Sequence, residues 1–138
     1  ASWDEYFRML AGSSCVSADA GHSVNPNYPE YYEPCHYPVA GGGPVVKLNA
    51  NQRYASDGPG QALWLRACRR AGQPTQEFVS NNAVPCGSTI GPSTATRLGI
   101  DTVDVGVPLL SMHSVREVSH LRDSWALAAI LRGYWELD

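Results

Sequence analysis

Near the start of the chain, apolar residues recur three and four positions apart. Trp3, Tyr6, Phe7 and Leu10 share one stripe of a helix over residues 3–10, which fits equally a helix whose partners lie elsewhere and an ordinary core helix of this chain. The following stretch, Cys15-Val16-Ser17-Ala18-Asp19, reads as a short buried strand ending in a carboxylate. Residues 44–49 read as a second strand, with Lys47 intruding on its apolar run. A helical period returns over 60–71, with Ala62, Leu65 and Cys68 or Arg69 as its stripe and Gly72 as its stop. Residues 77–80 read as a strand, and 93–98 as a short helix after Pro92 that Gly99 ends. Residues 101–105 read as another strand, because Thr102-Val103-Asp104-Val105 is strongly β-prone. Ser114-Val115-Arg116-Glu117 has the form of a capping box and predicts a helix opening directly after His113. A final helix over about 124–136 carries Trp125, Ala128, Ala129, Leu131 and Trp135.

Strands alternating with helices favour an α/β domain with a largely parallel sheet. Between residues 25 and 43 the pattern lapses. Pro26, Pro29, Pro34 and Pro38 exclude a helix there, and the tyrosines at 31, 32 and 37 argue for an ordered loop lying against something. Open α/β sheets gather ligands at the carboxyl ends of their strands. Asp19, His113 and the stretch 81–91 all fall just past predicted strands, so the distance between Asp19 and His113 along the chain does not keep them apart.

Charge and composition narrow the function. The 138 residues hold 10 basic and 13 acidic side chains, a net charge of −3 with a pI near 5.7. That balance removes the electrostatic reason to expect nucleic acid or an anionic membrane as partner. No apolar run approaches the roughly 20 residues of a bilayer span. Ala1-Ser2-Trp3-Asp4-Glu5 lacks the basic and apolar regions of a signal peptide, and a cytoplasmic location is expected. Cys15, Cys35, Cys68 and Cys86 include no Cys-x-x-Cys pair and read as free thiols. Cys86, between Pro85 and Gly87, reads as a small apolar filler rather than a nucleophile, having no histidine nearby in sequence.

Several residues carry candidate chemistry. Asp19-Ala20-Gly21-His22 offers a carboxylate and an imidazole, donors that suit zinc, cobalt or manganese, although an aspartate at a strand end also caps turns. His113 is either a metal ligand or a residue packed before a helix. Glu117 and His120 have a Glu-x-x-His spacing, but Arg116 and Arg122 beside them mark a solvated helix face; His36 reads as a surface residue. Lys47 is either the outward charge of an edge strand or a positive charge on a pocket wall, with Asn51-Gln52-Arg53-Tyr54 supplying donors nearby. Gly87-Ser88-Thr89-Ile90-Gly91-Pro92 enters a helix and is either an anion-binding turn or a structural one.

Taken together, Ser17-Ala18-Asp19 with His22, Pro26-Asn27-Tyr28, Gly43-Pro44-Val45-Val46-Lys47-Leu48-Asn49 and Asn51-Gln52-Arg53-Tyr54-Ala55 form a recognisable series. Pro85-Cys86-Gly87-Ser88-Thr89-Ile90-Gly91-Pro92, Arg97-Leu98-Gly99 and Met112-His113-Ser114-Val115-Arg116-Glu117 continue it. In order and spacing the series resembles the aspartyl aminopeptidase family of binuclear zinc exopeptidases, from about residue 14 onward. The resemblance implies a three-layer α/β/α sandwich with a mixed, largely parallel sheet, residues 1–138 being the C-terminal part of the catalytic domain. It implies that Asp19 and His113 bind zinc, two ions per complete site, and that Asp19, His22, Lys47 and Tyr54 line the substrate site. Lys47 would face an acidic side chain, and the reaction would be removal of N-terminal Asp or Glu from peptides.

The resemblance also implies what lies outside the match: a His-x-Asp motif, a bridging aspartate, a Glu-Glu pair with the general base, and a histidine serving a neighbouring subunit. No catalytic base is expected within 1–138, so this chain is expected to be inactive without that N-terminal half. A homo-oligomer of twelve subunits is implied as well. Three departures from the family pattern stand out: Asn25 where a histidine is usual, Ala83 where an aspartate commonly follows Asn82, and Ala20-Gly21 after the metal aspartate. They keep open the alternative of a non-catalytic homologue serving as a regulatory or structural subunit. An anion-binding module built on Gly87 to Gly91 and Lys47 is a third reading.

Overall fold

A computed structural model describes residues 2–137. Five strands form one sheet: β1 (Ser14–His22), β2 (Val45–Leu48), β3 (Gln76–Val79), β4 (Asp101–Leu110) and β5 (Val118–Ser119). Their order is β1-β4-β2-β3, with β5 pairing on β4. The long β1/β4 ladder and the β2/β3 ladder are parallel, while the short β2/β4 and β4/β5 ladders are antiparallel. The sheet is therefore mixed, with most of its pairing parallel, as the resemblance implies.

Because side chains alternate across a strand, each strand contributes to two different environments. Val46 of β2 and Val103 and Val105 of β4 pack against Trp64, Ala67 and Cys68 of α2 (Gly58–Ala71) and Ile130 of α4 (Leu121–Trp135). The opposite face places Val45 with Phe78 and Tyr32 in a second apolar cluster. It also carries Lys47 and Asp104, and α3 (Ile90–Leu98) packs there on β4 and β1. Helices on both faces make three layers.

Local chemistry explains most of the helix ends. Ser2 and Glu5 form a reciprocal capping box at the start of α1 (Trp3–Ala11), with the Ser2 N–H donating to Glu5 Oε2 over 2.6 Å. Asp57 caps α2 by accepting from the Gly60 N–H over 2.8 Å. Gly72 and Gly99 end α2 and α3 in the left-handed region, each with φ 62°.

Other expectations need correction. The α2 stripe turns on Trp64, Ala67 and Cys68 rather than Ala62 and Leu65, since the indole fills the core and donates from Nε1 to Thr75 Oγ1. On α4 the buried positions are Asp123, Ala126, Ile130 and Gly133, and Trp125 and Trp135 face outward. The stripe of α1 buries Leu10 alone; Trp3, Tyr6 and Phe7 contact one another in the open, Trp3 stacked on Phe7 and Tyr6 edge-on to both. β1 is a half-exposed outer strand that continues through Asp19 to His22 instead of stopping at the carboxylate. No helix opens at Ser114: Glu117 Oε1 accepts the His113 N–H over 2.5 Å within a turn, and β5 follows. Glu117 and His120 therefore share no helix face; His120 instead caps α4, its Nδ1 accepting from the Arg122 N–H.

The 25–43 loop is ordered. A single 3-10 turn spans Pro29–Tyr31, Tyr32 bridges to Ser80, and the buried Tyr32 hydroxyl donates to the Ser23 carbonyl over 2.7 Å. Its glycine end is pinned by Asp123 of α4, whose carboxylate accepts the N–H groups of Gly41 (2.7 Å) and Gly43 (2.9 Å). Gly43 has φ 104°, and a Cβ there would meet the Pro74 carbonyl, so only glycine fits.

Candidate active site

The polar face of the sheet opens into a cavity of about 250 Å³, whose lining includes Asp19, His22, Lys47, Tyr54 and His113. The five residues that the resemblance assigns to zinc or substrate thus line one cavity. β1 supplies Asp19 and His22, and β2 supplies Lys47. Tyr54 comes from the segment after β2, and His113 from the turn after β4, where it takes a left-handed conformation with φ 68°. Residues 84–89 close another side of the cavity.

Lys47 is the sole lysine of the chain, and it is 2% exposed. β2 runs between β4 and β3, which overturns the edge-strand reading of this residue. Its Nζ lies 3.8 Å from Asp19 Oδ2 and 5.6 Å from the centre of the Tyr54 ring. Burial lowers its pKa from the ordinary lysine value, an effect opposed by the nearby Asp19 and Asp104 carboxylates and, least, by Cys86. The other Asp19 oxygen accepts the Ala20 N–H over 2.7 Å, which fixes the carboxylate at the cavity mouth, where it is 58% exposed.

Below these polar groups lies an aromatic floor. Phe78 makes ring contacts with His22 at 6.1 Å, Tyr32 at 6.1 Å and Tyr54 at 6.3 Å. Burial, followed by the neighbouring His113 and Lys47, lowers the His22 pKa and favours the neutral imidazole. Burial raises the Tyr54 pKa, and a hydrogen bond to Cys86 adds to the effect. An aromatic, partly dry pocket with one buried ammonium, a facing carboxylate and neutral imidazole can hold a small molecule bearing charges of both signs.

Asp19 and His113 supply an oxygen and a nitrogen donor on the same cavity. Among the described residues, no group of three or more His, Cys, Asp or Glu side chains could hold a metal. By donor type a carboxylate oxygen and an imidazole nitrogen suit zinc, and two donors are fewer than a complete zinc site needs.

Some of the remaining candidates fall elsewhere. His36 is half-exposed on another surface, with Nδ1 2.5 Å from Glu33 Oε2 and Nε2 3.0 Å from Glu77 Oε2. Asn25 and Ala83 lie in turns outside the cavity lining, Asn25 Oδ1 accepting from the Asn27 N–H and Ala83 donating to Asn81 Oδ1. Gly21 does line it, and a Cβ there would press on Val45 at 2.7 Å. The anion-binding reading of 87–91 fails because the carboxylate of Asp104 already occupies the start of α3, against Gly91. All four cysteines are free, and Cys86 lines the cavity. Asp104 and Asp123, both fully buried, gave no signal in the sequence beyond their charge.

Comparison with known proteins adds an independent finding. The family model described as Aminopeptidase I zinc metalloprotease (M18) matches residues 2–135. A probable M18 family aminopeptidase 2 of Streptomyces avermitilis is 53% identical over 135 residues, 98% of this chain and 31% of that protein. An aspartyl aminopeptidase of Dictyostelium discoideum is 46% identical over 127 residues, 92% of this chain and 26% of that protein. The crystal structure of prApe1 superposes with a TM-score of 0.90 at 37% identity, covering 95% of this chain and 28% of that one. The S. cerevesiae mApe1 dodecamer gives 0.83 at 35% identity, with 95% and 28% covered. The chain thus spans less than a third of the length of these relatives.

Proposed function

The chain belongs to the M18 family of zinc metalloproteases, and on that premise we propose that it forms the C-terminal part of an aminopeptidase catalytic domain that removes acidic N-terminal residues from peptides. The observation that carries this reading is the solitary lysine, buried in the wall of a cavity that also holds Asp19, His22, Tyr54 and His113. An Asp or Glu side chain entering the cavity would meet the Lys47 ammonium, and the α-amino group would meet the Asp19 carboxylate. Each charge of the substrate's first residue then has an opposite charge awaiting it.

Asp19 and His113 would hold zinc together with donors from the rest of the enzyme. Bound zinc supplies Lewis-acid polarisation of the scissile carbonyl and a water acidified towards neutrality. The residues of this chain do the selecting. Lys47 binds the acidic side chain, Phe78 and Tyr54 exclude water around it, and neutral His22 stands ready to accept or donate one hydrogen bond. No general base is proposed among these residues. Residues 1–138 alone are therefore expected to be inactive, and activity is expected only together with the remaining length of the enzyme. A homo-oligomer, dodecameric as in the similar mApe1 structure, is part of the same proposal, as is a cytoplasmic location.

The test uses the full-length enzyme containing this segment, with reporters bearing N-terminal Asp, Glu or Leu. Lys47→Met is expected to lower kcat/KM for the acidic reporters by about a hundredfold, since truncating one partner of a buried charge pair costs several kcal/mol, and to leave the Leu reporter within a few-fold. Selectivity that survives the substitution overturns the role of Lys47. Zinc-dependent hydrolysis by the 138-residue chain alone overturns the claim of incompleteness.

A further inference from the structure

Two stretches without regular structure wall the cavity, one carrying Tyr54 and the other spanning residues 84–89. They are tied to each other: Arg53 Nε donates to the Cys86 carbonyl over 3.0 Å, and Ser88 Oγ donates to the Arg53 carbonyl over 2.9 Å. Their attachment to the sheet is different in kind, because it converges on one fully buried residue of β4. Asp104 Oδ2 accepts the Ala55 N–H over 2.7 Å, and Oδ1 accepts the Thr89 hydroxyl over 2.5 Å. The Asp104 N–H donates to Ser56 Oγ over 2.9 Å, and Ser56 Oγ reaches the Asp104 carbonyl at 3.3 Å.

We infer that Asp104 is the positioning residue of this site, a clamp on both irregular walls that fixes Tyr54 and Cys86 against Lys47. The geometry leaves it little freedom. The first turn of α3 passes so close that a Cβ at Gly91 would overlap the Asp104 carboxylate, so the carboxylate is held by a helix start on one side and two donors on the other. A buried carboxylate is costly unless hydrogen-bonded, and here each oxygen has a donor. The bonds come from Ala55, beside Tyr54, and from Thr89, the last residue of the 84–89 wall. A carboxylate needed only for packing could be replaced by any isostere; one that clamps two loops cannot lose a donor without releasing a wall.

The inference assumes that this cavity is the substrate site, but its test does not use substrate. The chain contains its own reporters: Cys86 lines the cavity, whereas Cys68 is buried in the core between α2 and the sheet. Alkylation of the full-length enzyme containing this segment by iodoacetamide, resolved by mass spectrometry of the peptides bearing Cys86 and Cys68, gives the two rates separately. Asp104→Asn and Thr89→Val are each expected to raise the Cys86 rate about tenfold, as a lost charge-assisted hydrogen bond opens the wall more often, while the Cys68 rate stays within twofold. Thr89→Ser, which keeps the hydroxyl, should restore wild-type protection, and Gly91→Ala should accelerate Cys86 by pushing the carboxylate from the other side. Equal Cys86 rates in wild type and Thr89→Val overturn the clamp. Acceleration of Cys68 in step with Cys86 also overturns it, because that is the signature of a residue that merely holds the fold. Loss of acidic selectivity on Lys47→Met can succeed or fail independently of either result.

Discussion

The two faces of the sheet solve opposite problems with the same four main strands. On one, Val46, Val103, Val105, Trp64 and Ile130 exclude water from a core of nearly fully buried apolar side chains. On the other, Lys47 at 2% exposure and Asp104 at 0% are withdrawn from water beside Val45 and Phe78. The first face gains stability by burial, at about 25 cal/mol per Å² of apolar surface. The second spends some of it, since a desolvated ammonium or carboxylate seldom recovers its full hydration from the partners it finds. What the second face obtains is pre-organisation: a charge held at a fixed point before any ligand arrives. The apolar face is where the fold is made, and the polar face is where it is used.

The largest test of that contrast is Ile130→Ala, which removes a side chain with no exposed surface from the apolar face. A loss of about 3 kcal/mol in urea unfolding is expected, and a loss below about 1 would mean the helices contribute less than their burial indicates. Next comes Asp123→Ala, which strands the N–H groups of Gly41 and Gly43 and should cost about 2 kcal/mol by the same measurement. Lys47→Met should move in the other direction, raising stability at neutral pH by about 1 kcal/mol while abolishing acidic selectivity. A Lys47→Met chain that is destabilised would show that the polar face is a net contributor and would erase the distinction.

The smallest effect belongs to His36, a half-exposed residue of the 25–43 loop outside the cavity lining. Its pKa is raised, chiefly by the hydrogen bond to Glu33, so the folded state binds a proton more tightly than the unfolded chain. The resulting stability is present below the unfolded value near 6.5 and is lost as pH rises through the higher folded value. Because the cluster is more than a third exposed, His36→Ala should cost only a few tenths of a kcal/mol at pH 6 and nothing at pH 9. An equal cost at both pH values would assign His36 to packing instead.

How much of this was legible in advance depends on whether the signal was local. Gly72 and Gly99 stopped their helices where backbone conformation requires glycine, and Lys47 within a valine run announced a charge needing a partner. The helix predicted after His113 failed because a Ser-x-x-Glu motif specifies a cap only if the chain continues helically; here Glu117 bonds the His113 N–H and Val118 pairs with Leu110. The α2 stripe was misplaced because Ala62 and Leu65 satisfy the helical period as well as Trp64 and Ala67 do, and only the sheet decides which face turns inward. Asp104 was the hardest to see. An aspartate in a β-prone run looks like any solvent-facing strand residue until the segments at 55 and 89, far away in sequence, close over it.

The isolation of Lys47 also has a practical meaning. Apart from the α-amino group, every primary amine of this chain is concentrated into one shielded nitrogen. Reagents that acylate or cross-link amines ordinarily decorate a protein's exterior at random; on this molecule they would find no exterior lysine to modify. Uptake of such a reagent at Lys47, read apart from the α-amino group by peptide mass, becomes a count of how often one particular cavity admits a visitor, and its suppression by a competitor becomes a direct reading of occupancy.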